Sequence, residues 1–131
     1  MKSKYELLII DDSIGMLRLL NNVLSKDYRV VTKRSCLDAF RWLEEGNYPA
    51  LLIIDLGLCD NDGFQILKNL KISGLYRDIP LVLLSSYDQP DEVLSAQIKR
   101  ADAYFQKPFN PTQLQETITQ LLNTKYAYAA A

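Results

Sequence analysis

Short apolar runs of this sequence end in polar residues that could bind phosphate or a metal ion. The polar residues are three carboxylates, a hydroxyl and an ammonium: Asp11, Asp12, Asp55, Ser85 and Lys107. Apolar runs of about five residues, separated by helical patterns, are typical of buried strands in a parallel sheet. Because every strand of such a sheet points the same way, we expect these five side chains to gather at one edge.

The expected cluster of carboxylates favours magnesium and phosphoryl chemistry. Three carboxylates cannot crowd together as bare anions near neutral pH, so either some are protonated or a cation lies among them. Oxygen ligands without a neighbouring histidine or cysteine suit Mg²⁺, which Asp11 and Asp12 could hold. Lys107 adds a second cation and Ser85 a hydroxyl, and such a site would stabilise a phosphoryl group in transfer. Asp55, alone at the end of its strand, is the natural nucleophile and would become an acyl phosphate.

Composition narrows the class of protein. The 131 residues suit one domain, and 15 basic against 16 acidic residues give no signature of nucleic-acid binding. The absence of histidine excludes His-based catalytic triads, His zinc sites and a phosphohistidine carrier. There is no apolar run long enough to cross a bilayer, and two cysteines without metal-ligand spacing fit a reducing cytoplasm.

Strand and helix patterns alternate five times along the chain. The predicted strands are 5–10, 28–32, 50–55, 81–85 and 102–106. The predicted helices are 14–26, a second after the N-cap Ser35 up to Gly46, 63–72, 90–99 and a fifth that begins at Pro111. This alternation predicts an α/β fold with a doubly wound five-stranded parallel sheet. The polar second strand belongs at an edge, so we predict the order 2-1-3-4-5, with the acidic residues at the switch point between strands 1 and 3.

The first helix has an ambiguous apolar face. Its core stripe is predicted from five positions: Met16, Leu19, Leu20, Val23 and Leu24. Ile14 then points nearly opposite to this stripe and Leu17 lies on its flank. We therefore expect both residues at the surface, close to the acidic pair.

Four segments, 8–12, 53–63, 79–85 and 101–109, together resemble the receiver domains of two-component response regulators. The resemblance extends from about residue 5 to 123 and implies the flavodoxin-like (βα)5 fold. Residues 1–124 would form the receiver domain, and 125–131 would be a disordered tail or a remnant of an expression vector.

The resemblance assigns a role to each residue at the strand ends. Asp55 would accept a phosphoryl group from the phosphohistidine of a sensor histidine kinase or a histidine phosphotransfer protein. Asp12 would bind Mg²⁺ directly, Asp11 through water, and Asp55 and the backbone carbonyl of Gly57 would complete the protein ligands. Lys107 would pair with the phosphate.

The resemblance also implies a switch and a docking surface. Ser85 and Tyr104 would form the switch pair, whose movement remodels the face built from the fourth helix, the fifth strand and the fifth helix. Ile14, Leu17 and Phe109 would contact the histidine-bearing partner. The module would be a signalling switch and not a turnover enzyme, acting in the cytoplasm and catalysing only its own phosphorylation and dephosphorylation.

Two alternatives stay open at this point. One is a small Mg²⁺-dependent phosphatase with an aspartyl nucleophile, although the sequence after Asp55 lacks the Asp-x-Asp pattern of haloacid-dehalogenase-type phosphatases. The other is an interaction domain that works without phosphorylation. The resemblance also places Gly57 and Tyr87 at positions that influence how fast the phosphoryl group is lost. Slow loss is expected, because Gly57 has no side chain to position water and Tyr87 could shield the site. A phosphorylation-dependent dimer and a downstream partner are both compatible with the sequence, and no motif identifies either one.

Overall fold

Five parallel strands form one sheet in the computed structural model, which describes residues 4–56, 69, 74–86 and 99–126. The strands are β1 (Glu6–Ile10), β2 (Arg29–Lys33), β3 (Leu51–Asp55), β4 (Leu81–Ser85) and β5 (Ala103–Gln106). They lie in the order β2-β1-β3-β4-β5, and every neighbouring pair is parallel. The predicted fold class and strand order are confirmed, and the predicted bounds are within one residue of those observed.

Helices α1 (Ile14–Leu24), α2 (Cys36–Glu44) and α3 (Pro111–Lys125) begin at the predicted positions, which are residue 14, the residue after Ser35, and Pro111. The Ser35 hydroxyl accepts a hydrogen bond from the backbone N–H of Asp38, and the Asn110 side chain accepts two at the start of α3. Helix α3 corresponds to the fifth predicted helix. The segments predicted as the third and fourth helices, 63–72 and 90–99, fall almost entirely outside the described residues. No described helix has both the length and the apolar character needed to span a bilayer.

The core lies on both faces of the sheet, as expected for strands buried between helices. Leu8, Ile10 and Ile54 point to the side covered by α2, whereas Leu7 and Ile9 point to the side covered by α1 and α3. This alternation follows the two-residue period of a strand. β3 is the middle strand of the five, all of its residues are buried, and Asp55 lies at its end.

The predicted orientation of α1 is wrong by part of a turn. Leu17 is buried with only 8% of its surface exposed, and it packs into the core beside Leu20 and Leu24. Leu19, which was predicted to be in the core, is 39% exposed. Positions 17, 20 and 24 form a stripe as regular as the predicted one, so the apolar pattern of this leucine-rich helix fits two orientations. Packing against the sheet selects one of them.

The predicted boundary of the C-terminal tail is also too early. Lys125 is the last residue of α3, and Tyr126 follows it into a defined position. The Tyr126 ring stacks on Tyr5 with centroids 5.2 Å apart, and its hydroxyl donates a 2.9 Å hydrogen bond to the carbonyl of Ala50. Residues 127–131 lie outside the described residues, so the rest of the tail prediction stays a prediction.

Candidate functional site

The carboxyl ends of the strands bring two buried carboxylates and one ammonium into contact. Asp11 directly follows β1, and Asp55 is the last residue of β3. These two strands are neighbours in the sheet. The Lys107 ammonium reaches both, donating to Asp55 Oδ2 at 2.9 Å and to Asp11 Oδ2 at 3.2 Å. Its backbone is held as well, because the Lys107 N–H donates to the carbonyl of Ser85 at 2.7 Å. The sequence prediction that these strand ends meet at one edge is confirmed for these residues.

Asp11 is held from several directions. Its Oδ1 accepts a 2.9 Å hydrogen bond from the backbone N–H of Ser13, while Lys107 occupies Oδ2. Its own N–H donates to the carbonyl of Lys33 at 3.1 Å, which extends the ladder between β1 and β2. Ser13 was not named from the sequence as part of the site. The signal was present, because a serine before an apolar helical stripe is a common N-cap, and its hydroxyl does accept the N–H of Met16.

Burial and charge act in opposite directions on the ionisation of this cluster. Burial raises the pKa of Asp11 above its ordinary value, and the charge of Asp55 adds to that effect, although the Ser13 N–H and Lys107 oppose it. For Lys107, burial alone would lower the pKa, but the hydrogen bonds and charges of Asp55 and Asp11 outweigh it and raise the pKa. The ammonium is therefore firmly charged, whereas the carboxyl of Asp11 is ionised at an energetic cost.

Asp12 completes a carboxylate cluster at the solvent side. Asp11, Asp12 and Asp55 each offer an oxygen, and the three oxygens lie within 4.8 Å of one another. Asp12 is exposed, and its backbone carbonyl accepts a 3.5 Å hydrogen bond from Arg34. Among the described residues, Lys107 is the cation that forms ion pairs within this cluster of three carboxylates, so the ion pairs alone do not balance its negative charge. Hard oxygen donors in this arrangement could hold a divalent cation such as Mg²⁺.

Ser85 and Tyr104 lie on the same face of the sheet. Ser85 is fully buried at the end of β4 and pairs in register with Gln106, while Tyr104 pairs with Leu83. Residues two apart on a strand share a face, so Tyr104 is the diagonal neighbour of Ser85 on the side that α2 covers. The Tyr104 ring is partly buried against that core. Gly57 and Tyr87, to which the sequence also gave roles, lie outside the described residues.

The three residues predicted to contact a partner differ in their exposure. Ile14, the first residue of α1, is 48% exposed and lies two positions after Asp12. Phe109 is half-buried and meets the edge of Phe105, with ring centroids 6.1 Å apart. Leu17 is buried in the core, so the expectation that it is a surface residue is wrong. Only Ile14 and Phe109 have side-chain surface to offer a partner.

Comparison with known proteins identifies the family. The sequence model for the response regulator receiver domain matches residues 7–119. A chemotaxis protein CheY homologue from Campylobacter jejuni is 27% identical over 96% of this chain and 98% of its own length. Response regulator Rre1 from Synechocystis sp. is 27% identical, and the transcriptional regulatory protein KdpE from Staphylococcus aureus is 30% identical. The chain spans 57% of Rre1 and 49% of KdpE, so these two relatives extend well beyond the matched region.

Solved structures show the same fold. A CheY-like response regulator receiver domain protein from Methanospirillum hungatei superimposes with a TM-score of 0.83 at 24% identity, covering 96% of this chain and 99% of its own. A response regulator receiver modulated diguanylate cyclase from Pelobacter carbinolicus gives a TM-score of 0.78 at 27% identity. That match covers 97% of this chain and 99% of the other.

Proposed function

The chain belongs to the response regulator receiver domain family, and we propose that Asp55 is the residue on which it is phosphorylated. Receiver domains are signalling switches, and the family match favours that role over the phosphatase alternative. The observation that carries the proposal is the contact of Lys107 with both Asp55 and Asp11 at the carboxyl edge of the sheet. This arrangement brings a fixed positive charge to a carboxylate that can act as a nucleophile.

Asp55 is favoured over its two acidic neighbours by its surroundings. Asp11 is fully buried and has both oxygens engaged, by Ser13 and by Lys107. Asp12 is exposed and, within the described part of the chain, forms no ion pair with the ammonium that would stabilise a phosphoryl group, whereas Asp55 lies 2.9 Å from it. A carboxylate oxygen of Asp55 would attack the phosphorus of a partner's phosphohistidine. The P–N bond would break, a P–O bond would form, and the imidazole would leave with the electron pair of the broken bond.

We assign Mg²⁺ to the carboxylate cluster. The oxygens of Asp11, Asp12 and Asp55 suit this ion in type and spacing, and the carbonyl of Gly57 would add a fourth protein ligand. When bound, the ion would neutralise charge on the phosphoryl oxygens during transfer. The chain's own contribution is to fix Asp11 through the Ser13 N–H and to orient Asp55 through Lys107.

Ser85 and Tyr104 form the proposed switch. Both lie on one face of the sheet, one at the end of β4 and the other on β5. The Ser85 hydroxyl would move to a phosphate oxygen, and the Tyr104 ring would turn inward into the space behind it. This movement would remodel the surface around β5 and α3, which a downstream partner or a second copy would recognise.

The phosphoryl donor in this proposal is a histidine kinase or a histidine phosphotransfer protein. Ile14 lies two positions after Asp12 and Phe109 two positions after Lys107, and both would supply apolar contact to the partner's histidine-bearing helices, since Ile14 is 48% exposed and Phe109 is partly exposed. The domain would catalyse only the gain and loss of its own phosphoryl group. An interaction domain that works without phosphate is the remaining alternative, and labelling with a small phosphodonor separates the two.

Intact-mass spectrometry tests the proposal. The protein is incubated with a small acyl phosphate, acetyl phosphate, in the presence of magnesium or of a chelator. We expect the mass of one phosphoryl group to appear with magnesium, and to be absent with the chelator and in Asp55→Asn. Asp38→Asn, a change at an exposed aspartate of α2, serves as the matched control and should label normally. Equal labelling of Asp55→Asn and wild type would remove Asp55 from its assigned role.

A further inference from the structure

A tyrosine-lined cavity lies at the end of the sheet opposite to the acidic edge. It has a volume of about 360 Å³ and is formed where β1, β2 and β3 begin. Its lining includes Lys4, Tyr5, Glu6, Arg29, Tyr48 and Tyr126. Neither the proposed phosphorylation site nor its switch uses any of them.

One wall of this cavity is a stacked pair of rings. Tyr5 and Tyr126 have centroids 5.2 Å apart and an interplanar angle of 28°, so the two rings stack on each other, and both line the cavity. The Tyr126 hydroxyl donates a 2.9 Å hydrogen bond to the carbonyl of Ala50, which holds the ring next to the start of β3. The pair ties the first residues of the sheet to the last turn of α3, and its geometry is therefore set by the fold.

A third tyrosine, Tyr48, also lines the cavity, and its exposed ring is nevertheless held in place. Tyr48 is 51% exposed, yet it stacks on Tyr76 with centroids 6.1 Å apart. Tyr76 is anchored in turn, because its hydroxyl donates to the carbonyl of Leu43. An aromatic ring held in place while half its surface faces solvent is preorganised for stacking, since little side-chain freedom remains to be lost on binding.

The charges at the rim favour an anion. Among the described residues that line the cavity, Lys4 and Arg29 are cationic and Glu6 is acidic. Lys4 and Arg29 are exposed at the rim, where they can meet a ligand's charged group without being desolvated themselves. An aromatic cage for a quaternary ammonium would need the opposite balance, because two cations at the rim repel a cationic ligand.

We propose that this cavity binds a planar aromatic carboxylate, with its ring between Tyr48 and the Tyr5–Tyr126 pair and its anionic group at Arg29 and Lys4. The volume of about 360 Å³ lies at the lower end of the range for small-molecule sites and suits one or two fused rings. The site lies at the opposite end of the strands from Asp55, so occupancy does not require phosphorylation.

Three probes that share one ring system and differ in charge test the proposal. Indole-3-acetate is an anion, tryptophol is neutral and tryptamine is a cation, and each is titrated into ¹⁵N-labelled protein. We expect indole-3-acetate to shift the amides of residues around the cavity with a dissociation constant of about 1 mM or below. Tryptophol should bind more weakly and tryptamine most weakly. Equal affinity of the three probes, shifts scattered over other surfaces, or no shift at all would each overturn the proposal.

Two exposed substitutions with matched controls localise the effect. Tyr48→Ala removes one wall and should weaken binding of indole-3-acetate about three- to tenfold, the range expected for one aromatic contact. Arg29→Gln removes a rim cation and should weaken the anion about two- to fivefold while leaving tryptophol unchanged. Leu37→Ala and Arg77→Gln are the controls, since both residues are exposed and neither lines the cavity. Unchanged binding in Tyr48→Ala, with the fold intact by circular dichroism, would refute the assigned ring position.

Discussion

Replacing Lys107 by methionine should lower the free energy of unfolding, because the buried carboxylates of Asp11 and Asp55 lose their compensating charge. The Lys107 ammonium makes two contacts, at 2.9 Å and 3.2 Å, with carboxylates that are 7% and 0% exposed. Removing one partner from a buried ion pair typically costs about 3–5 kcal/mol of unfolding free energy, because the other charge is left without compensation. Asp11 can limit this cost by taking up a proton, so we expect about 3 kcal/mol near neutral pH in the presence of a chelator.

The pH dependence of this loss distinguishes it from a simple packing defect. The pKa of Asp11 is already raised by burial, and Lys107 is one of the groups that hold it down. The substitution therefore raises that pKa further. A carboxyl with a raised pKa in the folded state contributes stability that is present at acidic pH and is lost as the pH rises through its folded pKa. The difference between wild type and Lys107→Met should consequently be small near pH 4 and reach its full size above the raised pKa of Asp11.

Urea unfolding monitored through the single tryptophan, Trp42, measures this difference. Lys26→Met, a change at an exposed lysine, serves as the control and should cost less than about 0.5 kcal/mol. Millimolar magnesium should restore part of the stability lost in Lys107→Met, because a divalent cation can replace the missing charge. A loss of equal size at acidic and neutral pH would refute the electrostatic reasoning, since a packing defect does not titrate.

Three further predictions test other parts of the structure by the same unfolding assay. Ser13→Ala removes the hydroxyl cap of α1 and should cost about 1 kcal/mol, whereas Ser13→Gly should cost only a few tenths; equal costs would argue against the cap. Leu17→Ala should cost about 2–5 kcal/mol and Leu19→Ala less than about 1 kcal/mol, and the reverse order would contradict the observed orientation of α1. Tyr126→Phe should cost about 1 kcal/mol near neutral pH through loss of the bond to Ala50. Burial, with the charges of Tyr48 and Tyr5, raises the pKa of Tyr126, so this advantage of the wild type should disappear as the pH rises past the ordinary value of 10.0. An advantage that persists in strong alkali would contradict that assignment.

The residues at the carboxyl ends of the strands could be predicted from the sequence, because the sequence itself shows which residue follows each apolar strand. An apolar strand followed by Asp55 places that carboxylate at the strand's end wherever the strand lies in the sheet. Parallel pairing then brings Asp11 beside it, since β1 and β3 are neighbours. The only non-local step was the strand order, and the polar character of β2 was enough to place that strand at an edge.

The errors arose where the pattern permits more than one packing. Leucines at positions 17, 19, 20 and 24 give α1 apolar surface on two sides, and periodicity alone does not choose between Leu17 and Leu19. Tyr126 was missed for a different reason. A single aromatic residue at the end of a helix has no periodic partner in the sequence, and its place is set by contacts with Tyr5 and Ala50, which are remote along the chain.

The charge balance of the acidic edge also explains why a lysine, and not only a metal ion, belongs to this site. Three carboxylates face one ammonium, and two of the three are almost entirely removed from water. Lys107 already bridges Asp11 and Asp55, so part of the compensating charge is built into the protein. A phosphoryl group on Asp55 would replace one negative charge by about two, because its second pKa is near 6. The phosphorylated site would therefore need more positive charge than the unmodified one. The Lys107 ammonium already lies beside Asp55 and could form an ion pair with the phosphoryl group.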